Sequence, residues 1–129
     1  MKIYYIRILI IFMFFNVSCN RKNSKIEERF KEFSRKLDIH EDNILFINLY
    51  GCPSCTVVYY DYANHFLDSG VVVLISKNSK KAKAFLDVYH PKVVYDQENL
   101  SKQLNLSNVM PTVYSQKKDG SIDSLIVGF

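Results

Sequence analysis

The 129-residue chain has no tryptophan, only three cysteines and no apolar run of the ~20 residues that span a bilayer comfortably. It also lacks a strong charge of either sign. Lysine and arginine number 17 against 13 acidic residues. Two of the positive charges, Lys2 and Arg7, fall in a segment expected to be removed, which leaves 15 basic residues. A balance so even gives no sign of a nucleic-acid surface. Lys77, Lys80, Lys81 and Lys83 read as a solvated helix face. There is no internal repeat, no low-complexity segment and no sign of a second domain, and the length suits one small domain. What the chain does have is apolar surface to bury. Hydrophobic residues make up 48% of it, with nine tyrosines and nine phenylalanines, so it can pack a core.

The N-terminus has the pattern of a targeting segment. Lys2 and Arg7 charge its start, Ile8 to Phe15 is wholly apolar, and Asn16-Val17-Ser18-Cys19 breaks the run. The expected signal peptide covers residues 1–18. Ser18-Cys19 resembles the end of a bacterial lipobox, where cleavage precedes a cysteine that becomes lipidated. Asn16 stands where that motif has an aliphatic residue, so ordinary cleavage and an uncleaved anchor remain open. The polar run to Ser24 suits a tether (residues 19–24) after a lipidated Cys19.

From residue 25 to 129 one α/β domain is expected. Ser24-Lys25-Ile26-Glu27 has the capping-box pattern, and Ile26, Phe30, Phe33 and Leu37 follow at helical spacing. Ile44 to Tyr50 is a nearly continuous apolar run, as in a strand covered on both faces. Thr56 to Asp68 reads as a helix with Val58, Tyr62, Ala63, Phe66 and Leu67 inward, ended by Ser69-Gly70. Val71 to Ser76 is a second buried strand. Asn78 caps a helix expected over Ser79–Tyr89, stopped at His90-Pro91. A short strand at Lys92–Tyr95, a short helix capped by Asp96 and a hairpin turning at Asp119-Gly120 complete the order. Alternating strands and helices imply parallel pairing with helices on both faces, and the final hairpin adds an antiparallel edge.

Between the first strand and the next helix stands Cys52-Pro53-Ser54-Cys55. If Cys19 belongs to the anchor, Cys52 and Cys55 are an isolated pair, not part of a disulfide scaffold. A disulfide closing so short a loop stabilises a fold little. Cys52 falls at the amino end of a helix, where unpaired N–H groups and the dipole favour a thiolate. Cys55 lies one turn on and can resolve a mixed disulfide. Zinc wants four ligands, and only this pair is clustered. Copper(I) could take both thiolates plus Met110, so a metallochaperone stays open, as does a redox-inert binding module. His40, His65 and His90 read as structural or surface residues, and Tyr59, Tyr60 and Tyr62 as core and rim packing. Asn105-Leu106-Ser107 fits a glycosylation sequon but carries no weight beside a bacterial-type signal.

Strand, Cys-x-x-Cys, helix, and a later Met110-Pro111-Thr112 before a hairpin together resemble the thioredoxin-like superfamily. The stretch from Val94 through Leu104–Tyr114 to Gly120 is similar to its membrane-anchored TlpA/ResA-type branch. The resemblance covers roughly residues 43–128. It implies a thioredoxin-like fold, a central mixed sheet flanked by helices. It implies that Cys52 is the nucleophile, Cys55 the resolving cysteine and Pro111 a cis-proline facing them. Met110 would offer backbone groups to a substrate strand. The activity implied is thiol–disulfide exchange, leaning to reduction, on cysteine-containing exported proteins, with a membrane electron donor or acceptor upstream and no cofactor beyond the Cys52–Cys55 disulfide. Three departures stand out. Phe46 occupies the place of the buried aspartate six residues before the nucleophile, leaving Asn48, a water or another carboxylate as substitutes. Gly51 replaces the aromatic residue before it. The chain ends at Phe129, after the last strand, without the family's C-terminal helix, so one sheet face is expected to be partly uncovered.

Overall fold

The computed structural model describes residues 21–50 and 55–128. Cys19, Cys52, Pro53 and Ser54 therefore lie outside the described residues, as do the apolar run 8–15 and Phe129. The elements are α1 (Arg21–Lys36), β1 (Asn43–Asn48), α2 (Cys55–Phe66), β2 (Val71–Ile75), α3 (Ser79–Phe85), β3 (Val93–Asp96), α4 (Leu100–Gln103), β4 (Thr112–Gln116) and β5 (Ile122–Ile126). They form one five-stranded mixed sheet in the order β3-β2-β1-β4-β5. β1 pairs in parallel with β2, which pairs in parallel with β3, whereas β4 runs antiparallel to β1 and β5. Among the described residues no helix is long and apolar enough to cross a membrane.

The central strands show why the sequence reads as unbroken apolar runs. Every residue of β2 is buried, and so are Ile44 to Ile47 of β1. Alternate residues serve opposite faces. Leu45, Ile47, Val72 and Leu74 pack on one side with Ala63 of α2 and Ala82 and Phe85 of α3. Ile44, Phe46, Val71, Val73 and Ile75 pack on the other with Phe30 and Phe33 of α1, Leu106 and Tyr114. Phe46 lies 5.0 Å from the ring of Phe33 and meets Tyr114 edge-on at 5.4 Å. Each fully buried Leu, Ile, Val or Phe contributes about 1.5–3 kcal/mol through removal from water. Cutting Phe33 to alanine would empty the α1 contact at a cost of about 3–5 kcal/mol.

Several boundaries differ from the sequence expectation. α1 starts at Arg21, upstream of the Ser24 capping box and inside the expected tether; no glycine or proline there opposes a helix. α2 turns Val58 outward, 45% exposed, because Tyr59, Tyr62, Ala63 and Phe66 form the i, i+3, i+4, i+7 stripe. α3 stops at Phe85, well short of Tyr89. Leu86 is extended, and the Asp87 carboxylate accepts the Tyr89 N–H at 3.0 Å, a local turn that competes with further helix.

Gly70 is also needed for a different reason than expected. Among the described glycines only Gly120, in the hairpin turn, has a left-handed φ, +85°. Gly70 is required for closeness instead. A Cβ there would strike the Asn43 carbonyl oxygen and come within 2.7 Å of the Phe66 ring. The Asn78 cap is as expected, its Oδ1 accepting from the N–H groups of Lys80 and Lys81 at 3.1 and 3.3 Å. The hairpin is held by Gly120 N–H to the Lys117 carbonyl at 2.9 Å and by the Lys117–Asp123 ion pair at 2.7 Å. β5 is the last described element. On it Leu125, in register with Val113, is 64% exposed and Ile126, in register with Thr112 on the other face, 59%.

Candidate functional site

The site is built at the carboxyl end of β1. There Leu49 donates its N–H to the Ile75 carbonyl at 3.0 Å, which keeps it against β2 after the strand proper has ended. Its own carbonyl accepts from Lys81 Nζ on α3. Asn48 Oδ1 accepts the Tyr50 N–H at 3.0 Å, turning the chain out of the sheet. Residues 51–54 follow, and Cys55 is the first residue of α2. In the sequence Cys52 stands three residues after Leu49 and three before Cys55, outside the described residues.

The second part comes from the loop before β4. Met110 is 38% exposed and Pro111 is buried. Tyr59, one turn after Cys55, donates its hydroxyl to Met110 Sδ at 3.7 Å. This contact brings together two segments that the sequence holds far apart. Asn108 Nδ2 donates to Thr112 Oγ1 at 3.0 Å, Thr112 Oγ1 to the Met110 carbonyl at 3.1 Å, and Val127 N–H to the Pro111 carbonyl at 2.8 Å.

The expected cis bond at Pro111 is not present. Among the described residues every peptide bond is trans, Met110–Pro111 included. Trans is the lower-energy isomer by about 0.5–1 kcal/mol. The hydrogen bonds to the Met110 and Pro111 carbonyls are made in that isomer.

Phe46 supplies no proton acceptor. It is 1% exposed and faces Phe33 and Tyr114, on the side of the sheet opposite α2. Asn48, the proposed substitute, has its carbonyl oxygen engaged with Tyr50 N–H. The histidines hold local structure. His65 Nδ1 lies 2.8 Å from the Asp61 carbonyl on α2, His40 pairs with Asp38 at 3.1 Å in an exposed loop, and His90 Nδ1 accepts the Lys92 N–H at 3.1 Å. Tyr60 meets Phe85 edge-on at 6.1 Å, and Tyr62 stacks on Phe66, so these rings pack as expected.

The structure adds residues that the sequence reading set aside. Lys81 is not part of a solvated face; it reaches under the β1 end to Leu49. Lys77, with Tyr50, Glu98, Asn99, Lys102 and Gln103, lines a cleft of about 560 Å³. Tyr50 donates its hydroxyl to Asn99 Oδ1 at 3.2 Å, and Lys102 Nζ lies 5.3 Å above the Tyr50 ring. Nothing local in the sequence announces these contacts, which join positions about 50 residues apart.

No protein-family model matches the chain, and a search of curated proteins finds no match.

Proposed function

We propose that the protein is a thiol–disulfide oxidoreductase of thioredoxin-like fold, working as a reductase of exported proteins. The observation that carries the reading is the position of the Cys52–Cys55 pair. In chain order the pair follows a buried parallel strand and runs into α2, which Cys55 opens and from which Tyr59 reaches Met110. In this reading Cys52 is the attacking thiolate, favoured by the N–H groups and dipole at the nearby start of α2. That thiolate attacks one sulfur of a substrate disulfide. The substrate S–S bond breaks, a mixed disulfide forms, and the first substrate thiolate takes a proton from solvent. The Cys55 thiolate then attacks Cys52 Sγ and releases the second substrate thiol. Two electrons pass from the dithiol to the substrate, and a membrane dithiol donor restores the reduced pair. Met110 and Pro111 border the site where the substrate chain lies.

The N-terminal pattern supports a lipoprotein on the extracytoplasmic side, anchored at Cys19. Cys19→Ala releases the protein from membranes or blocks its processing; unchanged retention with no lipid on the mature N-terminus contradicts the anchor.

The activity is tested by mixing reduced protein with a small aromatic disulfide whose released thiolate absorbs visible light. The expected result is release that depends on Cys52. Absence of release, together with tight stoichiometric binding of copper(I) by the reduced protein, would replace the oxidoreductase with a metallochaperone using both thiolates and Met110.

A further inference from the structure

At the end of β1, two residues before Cys52 in the sequence, Tyr50 lines a cleft that the exchange chemistry itself does not use. Its lining comes from the carboxyl ends of three parallel strands. Tyr50 follows β1, Lys77 follows β2, and Glu98 and Asn99 follow β3. Crevices beyond the carboxyl ends of parallel strands are where open α/β sheets bind ligands. The volume of about 560 Å³ suits a few side chains of an extended peptide.

The walls are fixed. Asp96, 2% exposed, accepts the N–H groups of Leu100 and Ser101 at 2.8 Å each and the Ser101 hydroxyl at 2.5 Å. This pins α4, which carries Lys102 and Gln103. Asn99 adopts a left-handed φ of 55°, and its side chain meets the Tyr50 hydroxyl instead of capping the helix. Tyr50 is held in turn by Asn48.

Among the described residues neither Lys77 nor Lys102 has a carboxylate within ion-pair distance. Glu98 is the one acidic residue of the lining, so two ammonium groups face one carboxylate. Lys81 adds a third positive charge close by, at the Leu49 carbonyl. A phosphate held by backbone amides is ruled out at α4, because Asp96 already occupies its first N–H groups. What is left is side-chain ammonium groups and an aromatic face in an open cleft, a surface suited to carboxylates spaced along a chain. Tyr50 stands two residues before Cys52, a span of at most ~7 Å. A chain seated in the cleft therefore lies next to the segment that leads to Cys52.

We propose that this cleft receives an acidic stretch of the polypeptide substrate, next to the cysteine that is to be exchanged. The proposal rests on the oxidoreductase reading for its substrate, but the binding it predicts can be measured separately.

The test uses two peptides with one intramolecular disulfide each, flanked by glutamates in one and glutamines in the other. The full-length protein and its Lys77→Gln/Lys102→Gln variant are compared on both. The wild type should reduce the acidic peptide about fivefold more efficiently at low salt, as two exposed ion pairs allow. The preference should fade as salt rises, and the variant should bring the ratio close to one. Equal efficiency on both peptides in the wild type, or a ratio that survives in the variant, overturns the cleft proposal and leaves the redox reading standing. If neither peptide is reduced, the redox reading fails and fluorescence anisotropy with a cysteine-free acidic peptide decides the cleft. Binding weakened about fivefold in the variant supports it; binding that is absent or unaltered overturns it.

Discussion

Tyr59 Oη lies 3.7 Å from Met110 Sδ, joining the second turn of α2 to the loop before β4. The contact sets Met110 next to the helix that Cys55 opens, with its side chain partly in solvent. Met110→Ala should therefore weaken capture of a polypeptide disulfide more than attack on a small one. The ratio of the two kcat/KM values is expected to fall about threefold to tenfold. A ratio equal to that of the wild type would separate Met110 from the substrate.

Lys81 acts as a positioning residue through the Leu49 carbonyl, three residues before Cys52. Lys81→Met leaves that partly buried carbonyl without its charged donor, at a cost of about 1.5–3 kcal/mol in urea unfolding. The Lys81 ammonium is held at Leu49, three residues before Cys52 in the sequence, so under the proposed function its loss should move the pH profile of Cys52 alkylation to higher pH. Loss of stability with an unmoved alkylation profile would reduce Lys81 to a purely structural tie.

Gly70 is confined by the Asn43 backbone and the Phe66 ring, where β2 begins under the end of α2. The Asn43 carbonyl belongs to β1 and has little freedom to retreat. Gly70→Ala should destabilise the fold by about 1–3 kcal/mol through overpacking, seen as a lower urea midpoint with an unchanged slope. A neutral effect would mean that β1 yields there.

Tyr114 packs between Phe30 and Phe46, and burial raises its phenol above the ordinary 10.0. The neutral form is thus favoured by folding. Its contribution is complete below pH ~10 and is lost as pH climbs through the raised folded value. Tyr114→Phe keeps the ring and removes the titration, so its alkaline unfolding limb should lie at higher pH than that of the wild type. Coincident limbs in thermal melts across the alkaline range would show that Tyr114 does not govern them.

The order of elements was legible because each carries its own local signal. β2 is five consecutive apolar residues, Asn78 is a cap, and Asp119-Gly120 is a turn. Hydrophobic runs and capping residues act over a few positions, so a sequence shows them directly. Helix ends were less legible because local side-chain bonds compete with propagation, as Asp87 does beyond α3. The Met110–Pro111 bond is trans against an expectation that came from resemblance alone, and nothing local in the sequence distinguishes the two isomers. Val58 was misplaced by a modest error in helical phase. Lys81 and the Tyr50–Asn99–Lys102 cluster were invisible, since each contact joins strand ends and loops that meet only once the sheet is assembled.

The central claim is that Cys52 attacks and Cys55 resolves. The most direct measurement is to offer Cys55→Ser and Cys52→Ser proteins, each reduced, to a polypeptide with a disulfide, quench with acid and separate the products without reductant. Cys55→Ser should accumulate a mixed disulfide through Cys52, because the second thiol that would release it is gone. Cys52→Ser should accumulate none. Mixed disulfide in neither variant, or mainly through Cys55 in the Cys52→Ser protein, would contradict the account.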